Sequence, residues 1–157
     1  RKGETMADTT SKIDLNDSDV HEECVRRIEA LGPDAAPEWG EMNVAQMLAH
    51  CVEVQKVMND GPLEGTPWYL RLAAPLVKRL VLSGGAFPKN VATHPQYDVG
   101  PDRDFETEKR RLLDTLAAFR DRGRAGIDHP IFGRMTPEET GWVAYKHLDH
   151  HLRQFGV

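Results

Sequence analysis

Tyr145-Lys-His-Leu-Asp-His-His-Leu-Arg-Gln-Phe-Gly-Val157 closes the chain and carries three of its seven histidines, His147, His150 and His151. At about 100° per residue, Trp142, Tyr145, Leu148, Leu152 and Phe155 fall on one apolar stripe, which predicts an amphipathic helix. His147 and His151 lie one turn apart beside that stripe, and Gln154 completes their row. Two imidazoles at i and i+4 can reach one metal ion, the spacing that H-E-x-x-H exploits. The same pair also fits two hydrogen-bonded histidines near a helix C-terminus, where cationic side chains meet the helix dipole favourably. His150 projects about 60° from His147 and about 100° from His151, which makes it a poorer partner for both. Its i, i+3 relation to His147 still leaves it available. A third ligand from elsewhere in the chain decides between the two readings.

Composition narrows the class. The chain has 157 residues, enough for one domain with a substantial core. Its 39% hydrophobic and 29% charged content is that of an ordinary globular protein. A net charge of −5 argues against a nucleic-acid partner, which calls for a basic surface. Cys24 and Cys51 form no C-x-x-C and no disulfide-dense pattern, so free thiols in a reducing, cytoplasmic compartment are expected. The longest apolar segment, Trp68 to Leu82, is broken by Arg71, Pro75, Lys78 and Arg79, so no membrane span is expected. The N-terminus is polar and has no signal-peptide core. Residues 1–18 are read as a disordered or extraneous N-terminal stretch, with Met6 the expected native start, and 19–157 as a single helical domain.

Outward from the last helix, Thr136-Pro137-Glu138-Glu139 is a capping box with proline at the first helical position. Ile127 to Arg134 reads as a connection. Before it, a helix from about Arg103 to Arg122 is expected, capped by Asp102, with Phe105, Leu112, Leu113, Leu116 and Phe119 inward. The first helix is expected from about Asp19 to Leu31, with a capping-box-like start at Asp19 and Glu22. Its buried face is Val20, Cys24, Ile28 and Leu31. The second spans about Asn43 to Met58, capped by Asn43 and ended by Asp60-Gly61-Pro62. Its core row runs through Val44, Met47, Leu48, Cys51, Val54 or Gln55, and Met58, with Gln46, His50, Glu53 and Val57 on a neighbouring face. A shorter helix, Trp68 to Leu82, carries a kink at Pro75, and a long irregular segment, 83–101, follows. No stretch alternates with period two, so no strands are expected. The expected fold is all-α: four principal amphipathic helices and a shorter fifth.

Metal sites in helical bundles are built from inward side chains on facing helices. The second helix offers His50, a candidate only, since a lone helical histidine is more often structural. His21, at a surface helix start, His94, in a loop, and His129, before Pro130 in a connection, are weaker.

Trp39-Gly-Glu-Met-Asn-Val-Ala-Gln-Met-Leu-Ala-His-Cys51, His129-Pro-Ile-Phe-Gly133, Met135-Thr136 and Lys146-His-Leu-Asp-His-His-Leu-Arg-Gln-Phe-Gly156 together resemble the DinB/YfiT-like superfamily. Within it the match is to a bacterial branch described only as a domain of unknown function. The resemblance covers about Asp19 to Val157. It implies an up-down-down-up four-helix bundle, with an extra short helix and a long loop between the second and third core helices. It also implies a metal held by one histidine from the second helix and an H-x-x-x-H pair from the last, here His50, His147 and His151. The family's H-R-G-Q ending is His151-Leu-Arg-Gln154 in this chain, which keeps the glutamine in register.

Three imidazoles with open positions suit zinc or nickel, with iron a further candidate. Such an ion lowers the pKa of a bound water or thiol. Related family members include thiol-dependent S-transferases and isomerases, so the resemblance implies a small-molecule substrate and a low-molecular-weight thiol. A hydrolase with water as nucleophile, and a non-catalytic metal-binding or interaction bundle, are the alternatives. Glu53, His150 and Gln154 are pocket or ligand-orienting candidates. Lys78, Arg79, Lys89 and His94 read either as an anion-binding patch or as solvated surface. Cys51, Trp39, Trp142 and Tyr145 read as core. A homodimer through an exposed apolar helix surface is a further expectation.

Overall fold

The computed structural model describes residues 12–87, 89 and 94–157. Among them the chain is mostly helical: α1 (Ser18–Ala30), α2 (Val44–Met58), α3 (Ala74–Leu82), α4 (Phe105–Asp121) and α5 (Pro137–Gln154). Two short 3₁₀ helices, Trp68–Ala73 and Pro95–Tyr97, and a hairpin of β1 (Ile127–His129) and β2 (Gly133–Met135) complete it. The hairpin pairs Ile127 with Met135, Asp128 with Arg134 and His129 with Gly133. It corrects the expectation of no strands. Three residues per strand are too few for a period-two pattern to register.

The helix starts follow side-chain chemistry. The Asn43 side chain accepts from the Gln46 amide. Thr136 Oγ1 accepts from the Glu139 amide while the Glu139 carboxylate accepts from the Thr136 amide, closing the expected capping box. Two expected caps move. Asp104, not Asp102, caps α4, because its carboxylate stands where it can accept from the Thr107 amide, three residues on. At α1 the N-cap residue is Asp17, whose carboxylate is drawn to Arg124 instead of the helix amides. The segment expected as one kinked helix is two pieces, since Pro75 sits in the first turn of α3, where its missing amide costs nothing.

The core is built from Cys24 and Ile28 of α1, Met47, Leu48 and Val52 of α2, Leu112, Leu116 and Phe119 of α4, and Leu148 and Leu152 of α5. Burying each large aliphatic side chain is worth roughly 1.5–3 kcal/mol. α2 contacts both α4 and α5, and α1 contacts the same two helices. On α2, Gln55 is buried and Val54 is left for a cavity wall, while Val57 joins the buried set. The segment read as lying outside the domain is partly inside it. Asp14 and Leu15 are buried, and the Leu15 amide donates to Gly141 O of α5. Residues 1–11 of that stretch lie outside the described residues. No helix among the described residues is long and apolar enough to cross a membrane. Trp68, Tyr69, Leu72, Leu76 and Leu80 stand exposed along the outside of the 3₁₀ turn and α3.

Candidate metal centre

α2 and α5 bring His50, His147 and His151 together, with one nitrogen from each lying within 4.8 Å of the others. His50 Nε2 and His147 Nε2 are 3.2 Å apart. Two ligands of a tetrahedral ion bound at 2.0–2.1 Å sit roughly 3.3 Å from one another, so this spacing matches such an edge.

Hydrogen bonds on the far side of two rings fix where the lone pairs point. His50 Nδ1 lies 2.8 Å from Tyr97 O, and a carbonyl only accepts, so Nδ1 carries the proton and Nε2 presents its lone pair to the cluster. His151 Nδ1 lies 2.8 Å from Gln154 Oε1. The amide orientation is set independently, because Gln154 Nε2 donates to Trp39 O at 2.8 Å. His151 Nε2 is therefore also a free lone pair facing the cluster.

Burial keeps these rings neutral. It pulls His151 down to about 3, aided by the neighbouring His50, and lowers His50 in spite of its bond to Tyr97 O. His147 falls well below the ordinary histidine value, first through burial and then through His151, His50 and His150 around it. Three neutral imidazoles, two with oriented lone pairs, are the donor set a divalent transition metal requires. The group can hold an ion. Without one, the 3.2 Å contact closes as a His147 Nε2–H to His50 hydrogen bond.

The cluster lines a cavity of about 1050 Å³. Trp39, Phe87, His150 and Tyr97 surround the histidines. Phe87 sets its edge against His147 and His150 at 6.2 and 6.1 Å, and Lys89 Nζ lies 4.0 Å over the Trp39 ring. The apolar part of the wall is Val54, Met58, Ile131, Phe132 and Val143, and Glu41, Gln46 and Asp98 add polar groups.

The other expected residues separate. Gln154 orients His151, as described. His150 stands half-buried at the rim, edge-on to His151 at 5.0 Å, outside the three-nitrogen group. Glu53 does not reach the cavity. Its carboxylate is taken by Lys56 at 2.9 Å and Arg111 at 3.4 Å, because its wheel position turns it toward α4. Of the basic quartet only Lys89 meets the site: Lys78 pairs with Glu139, Arg79 is exposed, and His94 caps the 95–97 turn. Trp39 is a cavity wall and not core, and Trp142 and Tyr145 are half-buried, packed against the core. Cys51 is a buried core thiol that burial pushes upward, and Cys24 rises to about 11 for the same reason. His21, read as a surface residue, is buried with Nε2 3.3 Å from Leu116 O.

Sequence reasoning passed over two contributors. The Tyr97 carbonyl, which orients His50, has no side-chain signature. His129, read as a connecting residue, is buried in the cavity wall, and only its place in the His129-Pro-Ile-Phe-Gly133 motif marked it. No curated protein and no solved structure matches the chain. Residues 9–156, nearly the whole chain, match one family profile. The chain belongs to the family described as Protein of unknown function (DUF1569).

Proposed function

We propose that this protein is a metal-dependent enzyme of the DinB/YfiT-like superfamily, with its helices in the up-down-down-up bundle, acting on a small molecule. The observation that carries this reading is the convergence of three neutral imidazoles, two with lone pairs aimed by Tyr97 O and Gln154 Oε1, in the wall of a cavity. A structural zinc is normally closed by four protein ligands, and three leave room for a substrate atom. Zinc or nickel, before iron, would supply Lewis acidity there and make a nearby thiol or water a better nucleophile.

The chain's own residues do the rest. His50, His147 and His151 provide the ligand nitrogens. Gln154 and Tyr97 O hold two of the rings in the productive tautomer. Phe87 and Trp39 shield the cluster from solvent, and the apolar walls accept the body of a substrate. The DinB/YfiT-like resemblance supplies the reaction class, transfer of a low-molecular-weight thiol to an electrophile, with hydrolysis as the alternative. Two free buried cysteines agree with a cytoplasmic setting, and the exposed Trp68, Leu72, Leu76 and Leu80 are the surface a homodimer would cover.

Metal content by mass spectrometry tests the reading. Wild-type protein is expected to carry about one equivalent, lost in His50→Ala, with affinity lowered roughly 10–100-fold in Gln154→Leu. No metal after reconstitution with zinc, nickel and ferrous iron would sink it. Thiol consumption with an electrophile, set against hydrolysis without thiol, then separates the two chemistries.

A further inference from the structure

His129 is buried at 3% exposure, and it lines the same cavity as the three clustered histidines. Its ring is held in two ways. Nδ1 lies 3.1 Å from the Ile131 amide and 3.3 Å from the Phe132 amide, and the ring stacks on Phe132 at 4.2 Å between centroids. Amides only donate, so Nδ1 must be the acceptor and the proton resides on Nε2. Among the described residues no protein group receives that Nε2–H. Its tautomer is the reverse of His50 and His151, which carry their protons on Nδ1.

Chain order places this donor near the start of α5, away from the cluster in the second half of that helix. Val54 and Met58 extend beyond His50 along α2 by four and eight residues, about 6 and 12 Å. Val143 continues the His147 row one turn toward the start of α5. β1, which ends in His129, contacts α2, and the hairpin leads directly into α5. Val54, Met58, Phe132 and Val143 line the cavity on this side of His50, while Glu41, Gln46 and Asp98 are among its other lining residues.

We infer that the cavity takes an elongated apolar molecule whose distal end carries a neutral hydrogen-bond acceptor, a ketone, ester or amide carbonyl, received by His129 Nε2–H. This subsite rests on the proposed function only in treating the cavity as a substrate site. The acceptor is neutral because the donor is. A carboxylate there would lose its hydration against one uncharged N–H and apolar walls, at a cost that single bond does not offset. Burial holds His129 down to about 4, which keeps the donor uncharged at neutral pH. His129 thus discriminates by what the far end of the ligand offers, while the cluster meets the near end.

The test uses the full chain, metal-free and zinc-loaded, titrated calorimetrically with 2-nonanone and with nonanoate. His129→Asn keeps an acceptor oxygen near the position of Nδ1 for the two hairpin amides and deletes the far donor. Wild type is expected to bind 2-nonanone, and at least tenfold more tightly than nonanoate. His129→Asn is expected to lose about tenfold in ketone affinity, the size of one hydrogen bond, with the same loss in both metal states. A second measurement needs no variant: in ¹⁵N-histidine-labelled wild type, the His129 Nε2 resonance is expected to move on adding 2-nonanone. Equal ketone affinity in His129→Asn, an unmoved resonance, absent ketone binding, or tighter binding of nonanoate would each overturn the inference. Failure of zinc to bind would overturn only the metal reading, because the metal-free titrations still report on His129.

Discussion

His50 and His151 each give an Nδ1–H to an oxygen, whereas His129 uses Nδ1 to collect two backbone amides. A proton added to His129 would break both contacts, and its burial disfavours the charge as well. It is burial, partly opposed by the nearby Asp128, that pulls its pKa from 6.5 down to about 4. A folded-state value below the unfolded one means that the unfolded chain takes up the proton first as pH drops. The stability His129 contributes is complete above about pH 6.5 and is lost progressively down to about pH 4. By pH 4.5 the loss from this residue is on the order of 2–3 kcal/mol. Urea unfolding of metal-free protein at pH 7.0, 5.5 and 4.5 checks it, as the difference between wild type and His129→Asn. Parallel pH dependences in the two proteins would show that His129 titrates normally. Little of this was legible beforehand. The His147/His151 pair announced itself because one helix period relates its members. His50 became a ligand candidate of weight only through the motif around it, since no spacing rule spans two helices. The tautomers depend on a carbonyl at Tyr97 and on amides at Ile131 and Phe132, groups that every residue possesses.

Elements were easier to read where a side chain decides the boundary. Asn43 and Thr136 behave as their hydrogen-bonding capacity requires, whereas Pro75, expected to kink a longer helix, lies in the first turn of α3. Asp102 and Asp19 were misread because several acids crowd each start, and only geometry selects the one that faces the amides. The hairpin escaped because Ile127–His129 and Gly133–Met135 are stabilised by their packing near α2 and α3 more than by local pattern. Gly141 shows a tertiary demand hidden in a helical sequence. A Cβ there would overlap the Asp14 carboxylate, which the N-terminal segment lays against α5 while Arg124 pairs with it. Helix propensity favours alanine over glycine by up to about 1 kcal/mol. The clash opposes it. Gly141→Ala is expected to destabilise by a net 1–3 kcal/mol, roughly the cost of overpacking. Combining it with Asp14→Ala should recover part of that loss, a non-additivity expected of residues in contact. A stabilised Gly141→Ala protein in urea unfolding would mean that residues 12–17 do not dock as described.

At the scale of the molecule, the cluster joins two helices whose contributing residues, His50 and His147, stand 97 positions apart in sequence. That separation makes metal binding a property of the folded state, because the unfolded chain holds the three rings together only at a large entropic cost. Linkage then gives a magnitude. An ion present at a hundred times its dissociation constant, bound by the folded form alone, stabilises by about 2.7 kcal/mol. For a domain of this size each kcal/mol raises Tm by about 2–4 °C, so zinc is expected to raise it by about 5–11 °C. Protons oppose the ion only when they reach the rings. With His151 held at about 3, the shift should persist below the ordinary histidine pKa, provided the protein remains folded. Differential scanning calorimetry at pH 7 and pH 5.5, with and without zinc, reads this directly. His50→Ala and His151→Ala should each abolish the zinc-induced rise, although one variant alters α2 and the other α5. A rise that survives in His50→Ala would place the ion on α5 alone, at His147, His150 and His151, and would remove the link between the two helices on which the proposed chemistry depends.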